Sequence, residues 1–197
     1  MNGIVGSFTR NEERAQTPGH TPVIQSGKLK ANDGTYLTGM LLTRNASGEL
    51  IPLTVVTAEV LATGNGATKV YSAITLVSVP VEPGTFSATD TVETFADDGC
   101  GRLVGSAAGT GTINYKTGKV ALTFNANVAN LTPVTAAYTT AVAGVLDEET
   151  DTTKSGSGIY VAHGTVDSTV LKIGKTDPTA PVAATLLLLQ AHGIYPK

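Results

Sequence analysis

From Val23 to Gly118 the chain is cut by recurring turn signals with 10 to 16 residues between them, and this punctuation limits the fold more than any other feature. Asn32-Asp33-Gly34, Asn45-Ala46-Ser47-Gly48, Gly64-Asn65-Gly66, Pro83-Gly84, Asp97-Asp98-Gly99 and Lys116-Thr117-Gly118 each supply residues that tolerate left-handed backbone. Turn signals at this spacing suggest a small all-β sandwich or barrel, and many segments between them alternate apolar with polar residues, the period of a half-buried strand. In Thr112-Ile113-Asn114-Tyr115 and Lys119-Val120-Ala121-Leu122-Thr123-Phe124 the alternation is strict, so that pair reads as a hairpin. Met40–Arg44 against Glu49–Leu53 reads as another, with Pro52 placing its second strand at a sheet edge.

Further strands are expected at Val55–Leu61, Lys69–Val77, Val92–Phe95, Val134–Tyr138, Val142–Leu146, Gly158–Val166 and Thr169–Ile173. One helix is expected, over Val182–Ala191, with Thr179 or Ala180 near its cap, Pro181 in its first turn and Gly193 just past its end. Ile194-Tyr195 reads as a short final strand. The four-leucine run wraps around that helix, so more than one of its faces must be covered.

Composition excludes several classes. Hydrophobic residues make up 41% of the 197, too many for a disordered tail, yet no apolar run is long enough to span a membrane as a helix. The net charge of −3 is spread thinly: 0 over residues 1–22, +1 over 23–56, and −2 over each of 57–140 and 141–197. No segment can neutralise a row of phosphates, so a nucleic-acid partner is not expected. Cys100 is the only cysteine, which excludes an intrachain disulfide. Met1 to Asn11 lacks an apolar core of signal-peptide length, as expected for a protein made in the cytosol.

Residues 1–22 differ from the rest, with sparse apolar side chains (Ile4, Val5, Phe8) and breakers at Pro18, Gly19 and Pro22. They read as an extended arm, reaching roughly 70 Å if fully stretched, or as a disordered terminus.

No catalytic or metal set emerges. His20, His163 and His192 are scattered, and Cys100 sits in a Gly-rich turn with no local Cys/His motif. No His or Cys pair has zinc spacing. Gly64 to Lys69 lacks the Gly-Lys-Ser/Thr end of a phosphate loop. Ser155-Gly156-Ser157-Gly158 lacks the first glycine of a nucleophile elbow. Asp147, Glu148, Glu149 and Asp151 lack EF-hand spacing and read as a solvated acidic loop. Neither an enzyme nor a cofactor is therefore expected.

Gly39-Met40-Leu41-Leu42 through Leu50-Ile51-Pro52-Leu53, rejoined at Ala143-Gly144-Val145-Leu146 and followed by a β-rich stretch, a C-terminal helix and a short strand, resembles the head decoration proteins of lambda-like tailed bacteriophages. The resemblance covers roughly 23–55 and 141–197. It implies a mainly β fold: a small β-tulip or barrel-like core over 23–56 and 141–197 with one C-terminal helix, behind an arm over 1–22.

Residues 57–140 would then be an insertion. Pro83-Gly84-Thr85-Phe86, Phe95-Ala96-Asp97-Asp98-Gly99 and Gly111 to Gly118 resemble a small β module of phage virion proteins, which implies an Ig-like β-sandwich. The family implies a homotrimer on the outer surface of the expanded head, binding the major capsid protein at three-fold sites and resisting the pressure of packaged DNA. On that reading the arm contact comprises Ile4, Val5, Phe8, Thr21, Pro22 and Val23. The trimer interface comprises Leu186, Leu187, Leu189, Ile194 and Tyr195. The rival expectations are a tail, neck or baseplate protein and a surface adhesion module.

Overall fold

A computed structural model describes residues 13–197 of the chain. Sixteen strands and one helix follow in order: β1 (Val23–Lys28), β2 (Thr35–Tyr36), β3 (Leu41–Arg44), β4 (Leu50–Pro52), β5 (Val55–Thr63), β6 (Val70–Thr75), β7 (Ser87–Thr89), β8 (Thr94–Asp97), β9 (Arg102–Gly105), β10 (Thr110–Asn114), β11 (Lys119–Thr123), β12 (Pro133–Thr139), β13 (Gly144–Leu146), β14 (Thr150–Asp151), β15 (Ser157–Val166), α1 (Ala183–Ala191) and β16 (Ile194–Pro196). The protein is mainly β with a single C-terminal helix, as the turn spacing predicts.

One sheet is built from the outer parts of the chain. Its order is β1-β15-β13-β3-β4, and β16 lies parallel to the far end of β15. Three of its strands carry consecutive apolar residues: Leu41-Leu42, Val145-Leu146 and Tyr160-Val161, all within 1% of full burial. Successive side chains point to opposite faces, so both faces must be covered. Leu41, Val145 and Val161 face one cluster with Leu53, Leu189 and Ile194. Leu42, Leu146 and Tyr160 face another with Leu29, Tyr36, Met40 and Leu50. The sheet curls until its two edges touch, where Leu29 bridges Leu50. In the β3–β4 hairpin Thr43 pairs with Ile51, and the Asn45 side-chain oxygen accepts the Ser47 and Glu49 amides. Pro52 lies on the end strand, as its missing N–H requires.

The second sheet takes residues 55–139 in the order β5-β12-β7-β8-β9-β10-β11-β6. Its eight strands follow one continuous hydrogen-bonded path that curls into a nearly closed barrel. The sequence suggests a sandwich of two sheets, and nothing in this strand order singles out an Ig-like arrangement. Inside lie Phe86, Phe95, Phe124, Val134 and Tyr138, with the Phe95 and Phe124 rings edge to face at 4.9 Å. The two chain crossings between the sheets are bonded to each other: the Thr54 amide donates to Thr140 Oγ1 (2.9 Å) and the Thr140 amide to the Thr54 carbonyl (3.0 Å).

Several local expectations need correction. The strand expected at Val92–Phe95 starts at Thr94, because the Asp90 carboxylate accepts the Val92 and Glu93 amides and holds that stretch as a turn. Thr169–Ile173 makes only isolated bridges, at Lys172 and Ile173. Helix α1 starts later than expected, with Val182 at its N-cap and no side-chain cap. Thr179 is instead tied to Ile173 by two backbone bonds (2.8 and 3.0 Å), which leaves Pro181 before the helix. Gly193 does end it, at φ +74°, where a Cβ would lie 2.3 Å from the His163 ring.

The largest correction concerns residues 13–22. They do not extend from the body but pack along it. The Ala15 amide donates to the Asp147 carbonyl, the Thr17 amide to the Thr165 carbonyl and the His20 amide to Thr165 Oγ1, while Ala15 is fully buried. Burial of Ala15 and satisfaction of these donors outweigh the freedom the segment gives up. The arm expected over 1–22 is thus corrected for residues 13–22, whereas Ile4, Val5 and Phe8 lie outside the described residues.

Candidate functional site

The root of the N-terminal leader is the best-defined polar site. Asp147 follows the apolar pair Val145-Leu146 and is fully buried. The Arg14 guanidinium donates to its Oδ2 through Nε (2.8 Å) and Nη2 (2.6 Å), and the Gln16 amide donates to Oδ1 (2.9 Å). Arg14 also pairs with Glu148. A buried carboxylate with both oxygens engaged holds its partners firmly. The sequence reading places Asp147 in a solvated loop, and here the structure overturns it. The missed signal is position: an acid directly after a buried strand pair, met by Arg14 from the adjoining segment.

Downstream of the root the chain runs onto the sheet edge. Thr21 is exposed and Pro22 half-buried. Pro22 rests against Gly164, where φ is +125° and a Cβ would lie 2.6 Å from the Pro22 Cα, so only glycine allows this approach. Val23 opens β1, pairs with His163 and stays 48% exposed. Beside it the rings of His20, His163 and Tyr195 form a small cluster, His20 to His163 edge to face at 4.8 Å.

The residues expected at a subunit interface divide. Leu189 (0% exposed) and Ile194 (1%) belong to the body's own core, so neither can meet a partner. Leu186 is half-buried against the same core. Leu187, at 65%, and Tyr195 point outward, and Val182, Ala183, Ala184 and Ala191 are also exposed. Helix α1 thus buries one stripe and presents another that is apolar and uncharged. The sequence predicts more than one covered face, and within a single chain only the stripe of Thr185 and Leu189 is buried.

Other candidate groups are separated. His192 Nε2 lies 2.9 Å from Glu82 Oε1, and Glu82 Oε2 accepts the Val142 amide, which ties the end of α1 to the inserted sheet. Cys100 is exposed in its turn. Among the described residues no group of three or more His, Cys, Asp or Glu is placed to hold a metal ion. Two buried acids that the sequence reading passed over, Glu82 and Glu93, act structurally. Glu93 accepts the Ala107, Gly109 and Asn125 amides and so fixes the loops at one end of the inserted sheet. No helix among the described residues is long and apolar enough to cross a membrane. In comparisons with known proteins, no family model matches the chain, and neither a curated protein nor a solved structure matches it.

Proposed function

We propose that this protein is a capsid decoration protein of a tailed bacteriophage. It binds the outer surface of the expanded head as a trimer at three-fold sites and stabilises the shell against packaged DNA. The observation that carries the reading is the root at Arg14 and Asp147, which anchors to the β body the segment that follows Ile4, Val5 and Phe8 in the sequence. An extended leader can join a sheet edge of the major capsid protein through backbone hydrogen bonds, with little demand on specific side chains. A firm root means that bound leaders transmit force to the body rather than peeling away from it. Three leaders on one trimer bind multivalently, so weak single contacts sum to a clamp. The exposed stripe of α1 around Leu187, with Tyr195, supplies an uncharged surface for the trimer, and closed symmetry stops growth at three copies.

The test is co-sedimentation with expanded heads. The full chain should pellet with them, and a chain lacking residues 1–12, with the Arg14–Asp147 root intact, should lose most of that binding while keeping its oligomeric mass. Undiminished binding by the shortened chain, or a full chain that stays monomeric and never pellets, would sink the proposal.

A further inference from the structure

The loops at one end of the inserted sheet enclose a cavity of about 150 Å³. Asp90, Glu93, Asn125 and Asn127 form polar parts of its wall, and Val92 and Phe124 apolar ones. We infer that this cavity binds a primary ammonium group on an aliphatic stem, with the Asp90 carboxylate as its main acceptor.

Charge gives the first reason. Four carboxylates are buried among the described residues: Glu82, Asp90, Glu93 and Asp147. Asp147 meets Arg14, and Glu82 meets His192. Asp90 and Glu93 meet no Lys, Arg or His among the described residues, and no cation lines the cavity they share. Two buried carboxylates without a counter-charge favour a cationic ligand.

Hydrogen bonding gives the second. Glu93 is well satisfied, since its Oε1 accepts the Ala107 (3.1 Å) and Gly109 (2.6 Å) amides and its Oε2 the Asn125 amide (2.8 Å). Asp90 is only half satisfied. Its Oδ1 accepts the Val92 (3.0 Å) and Glu93 (2.7 Å) amides, but its Oδ2 has no donor among the described residues, although the residue is only 6% exposed. The side chains of Asn125 and Asn127 have no hydrogen-bond partner among the described residues either. An ammonium carries three donors and no acceptor, which suits one carboxylate oxygen and two amide oxygens. A calcium ion suits the site less. It demands about six to eight oxygen ligands, and three of the four carboxylate oxygens here already accept amides.

Size and rigidity give the third. The cavity matches the liquid volume of about five water molecules, close to that of four carbons and one nitrogen. Val92 and Phe124 offer apolar surface to such a stem. Thr91 (φ +76°), Ala108 (+74°) and Leu131 (+63°) hold left-handed backbone without being glycine, and each is next in sequence to a lining residue. Such backbone persists only where its surroundings fix it, and the three amides bound by Glu93 hold two of these loops in place before any ligand arrives.

The ammonium can come from a lysine side chain of another protein or from a free aliphatic amine, and the test separates these sources. The full chain is titrated at constant ionic strength and followed by amide chemical shifts. n-Butylammonium should shift Val92, Glu93, Ala107 and Asn125 saturably, with a dissociation constant on the order of 10 mM. Neither n-butanol nor calcium chloride should do so. Asp90→Asn keeps an oxygen for the Val92 and Glu93 amides and should weaken binding about tenfold. Asn127→Lys, at an exposed position, brings a tethered ammonium to the cavity and should block n-butylammonium while leaving the thermal midpoint unchanged. An N-acetyl-lysine amide that binds at least as tightly as n-butylammonium assigns the site to a protein side chain, and weaker binding assigns it to a free amine. The absence of a saturable shift, equal shifts with n-butanol or calcium, or undiminished binding by either folded variant would overturn the inference.

Discussion

The two larger sheets of this protein are assembled by opposite routes. The inserted sheet is mostly local. Strands β7 to β11 are hydrogen-bonded in sequence order, and each is joined to the next by a short turn. The outer sheet is non-local: Val23 pairs with His163 and Leu42 with Gly144, across the whole insertion. Closing such distant contacts costs chain entropy before any burial offsets it. The local sheet relies on an aromatic interior and buried acids that fix its loops, whereas the non-local one relies on apolar pairs covered on both faces. The lesson is that an insertion with its own core can interrupt a sheet if its two ends leave together, as Thr54 and Thr140 do.

The sharpest way to break this comparison is Phe95→Ala, which removes a fully buried ring from the inserted sheet. It should cost about 3–5 kcal/mol. Hydrogen exchange should lose protection over β5 to β12 while β3, β13 and β15 keep theirs. If both sheets open together, their independence fails. Next comes Glu93→Ala, which leaves three amides without their acceptor and should cost about 3 kcal/mol in thermal unfolding, again confined to the inserted sheet.

On the outer sheet, Asp147→Asn should cost about 2 kcal/mol, discounted because Arg14 is partly exposed. It should also free residues 13–17, read as new protease cleavage there with the inserted sheet unaffected. Cleavage unchanged from the parent would remove Asp147 as the leader's root.

Alkali tests a device that the inserted sheet shares with the small β2–β14 pair, a tyrosine donating to a carboxylate. Burial, then the Asp97 carboxylate, pushes Tyr115 up to about 12, and burial, then Glu59, does the same to Tyr138. Burial and Asp33 push Tyr36 higher still. The folded-state values lie above the unfolded one of about 10, so this stability is complete below pH 10 and declines as pH rises toward about 12. Unfolding and tyrosinate absorbance should therefore rise together in that window, and normal titration of all the tyrosines near pH 10 would contradict the burial of these pairs.

The smallest effect on stability is expected for Leu187→Ser on the exposed stripe of α1, within about 0.5 kcal/mol. Its effect should appear in the oligomeric mass instead, which falls toward that of one chain. An unchanged mass would move the interface elsewhere.

Much of this was legible because it is local. The Asn45 and Lys116-Thr117-Gly118 turns, the β3–β4 and β10–β11 hairpins, the glycine that ends α1 and the placement of Pro52 at an edge each depend on residues within a few positions of one another. The short strands β7 and β9 were not legible, since three or four residues carry too little periodicity to stand out. Nor was the site. Asp147 and Arg14 are separated by 133 positions, and no pattern along the chain announces that an acid in a charged run is buried. Leu187 and Leu189 are equally apolar, and only packing decides which one faces solvent.

By itself the sequence determined that this chain folds into short strands with one terminal helix, because turn chemistry and side-chain alternation act over a few bonds. Tertiary structure decided that 55–139 curls into one sheet, that residues 13–20 lie against the body, and which face of α1 stays open. Those outcomes depend on which distant surfaces cover one another, and that complementarity is a property of the assembled fold.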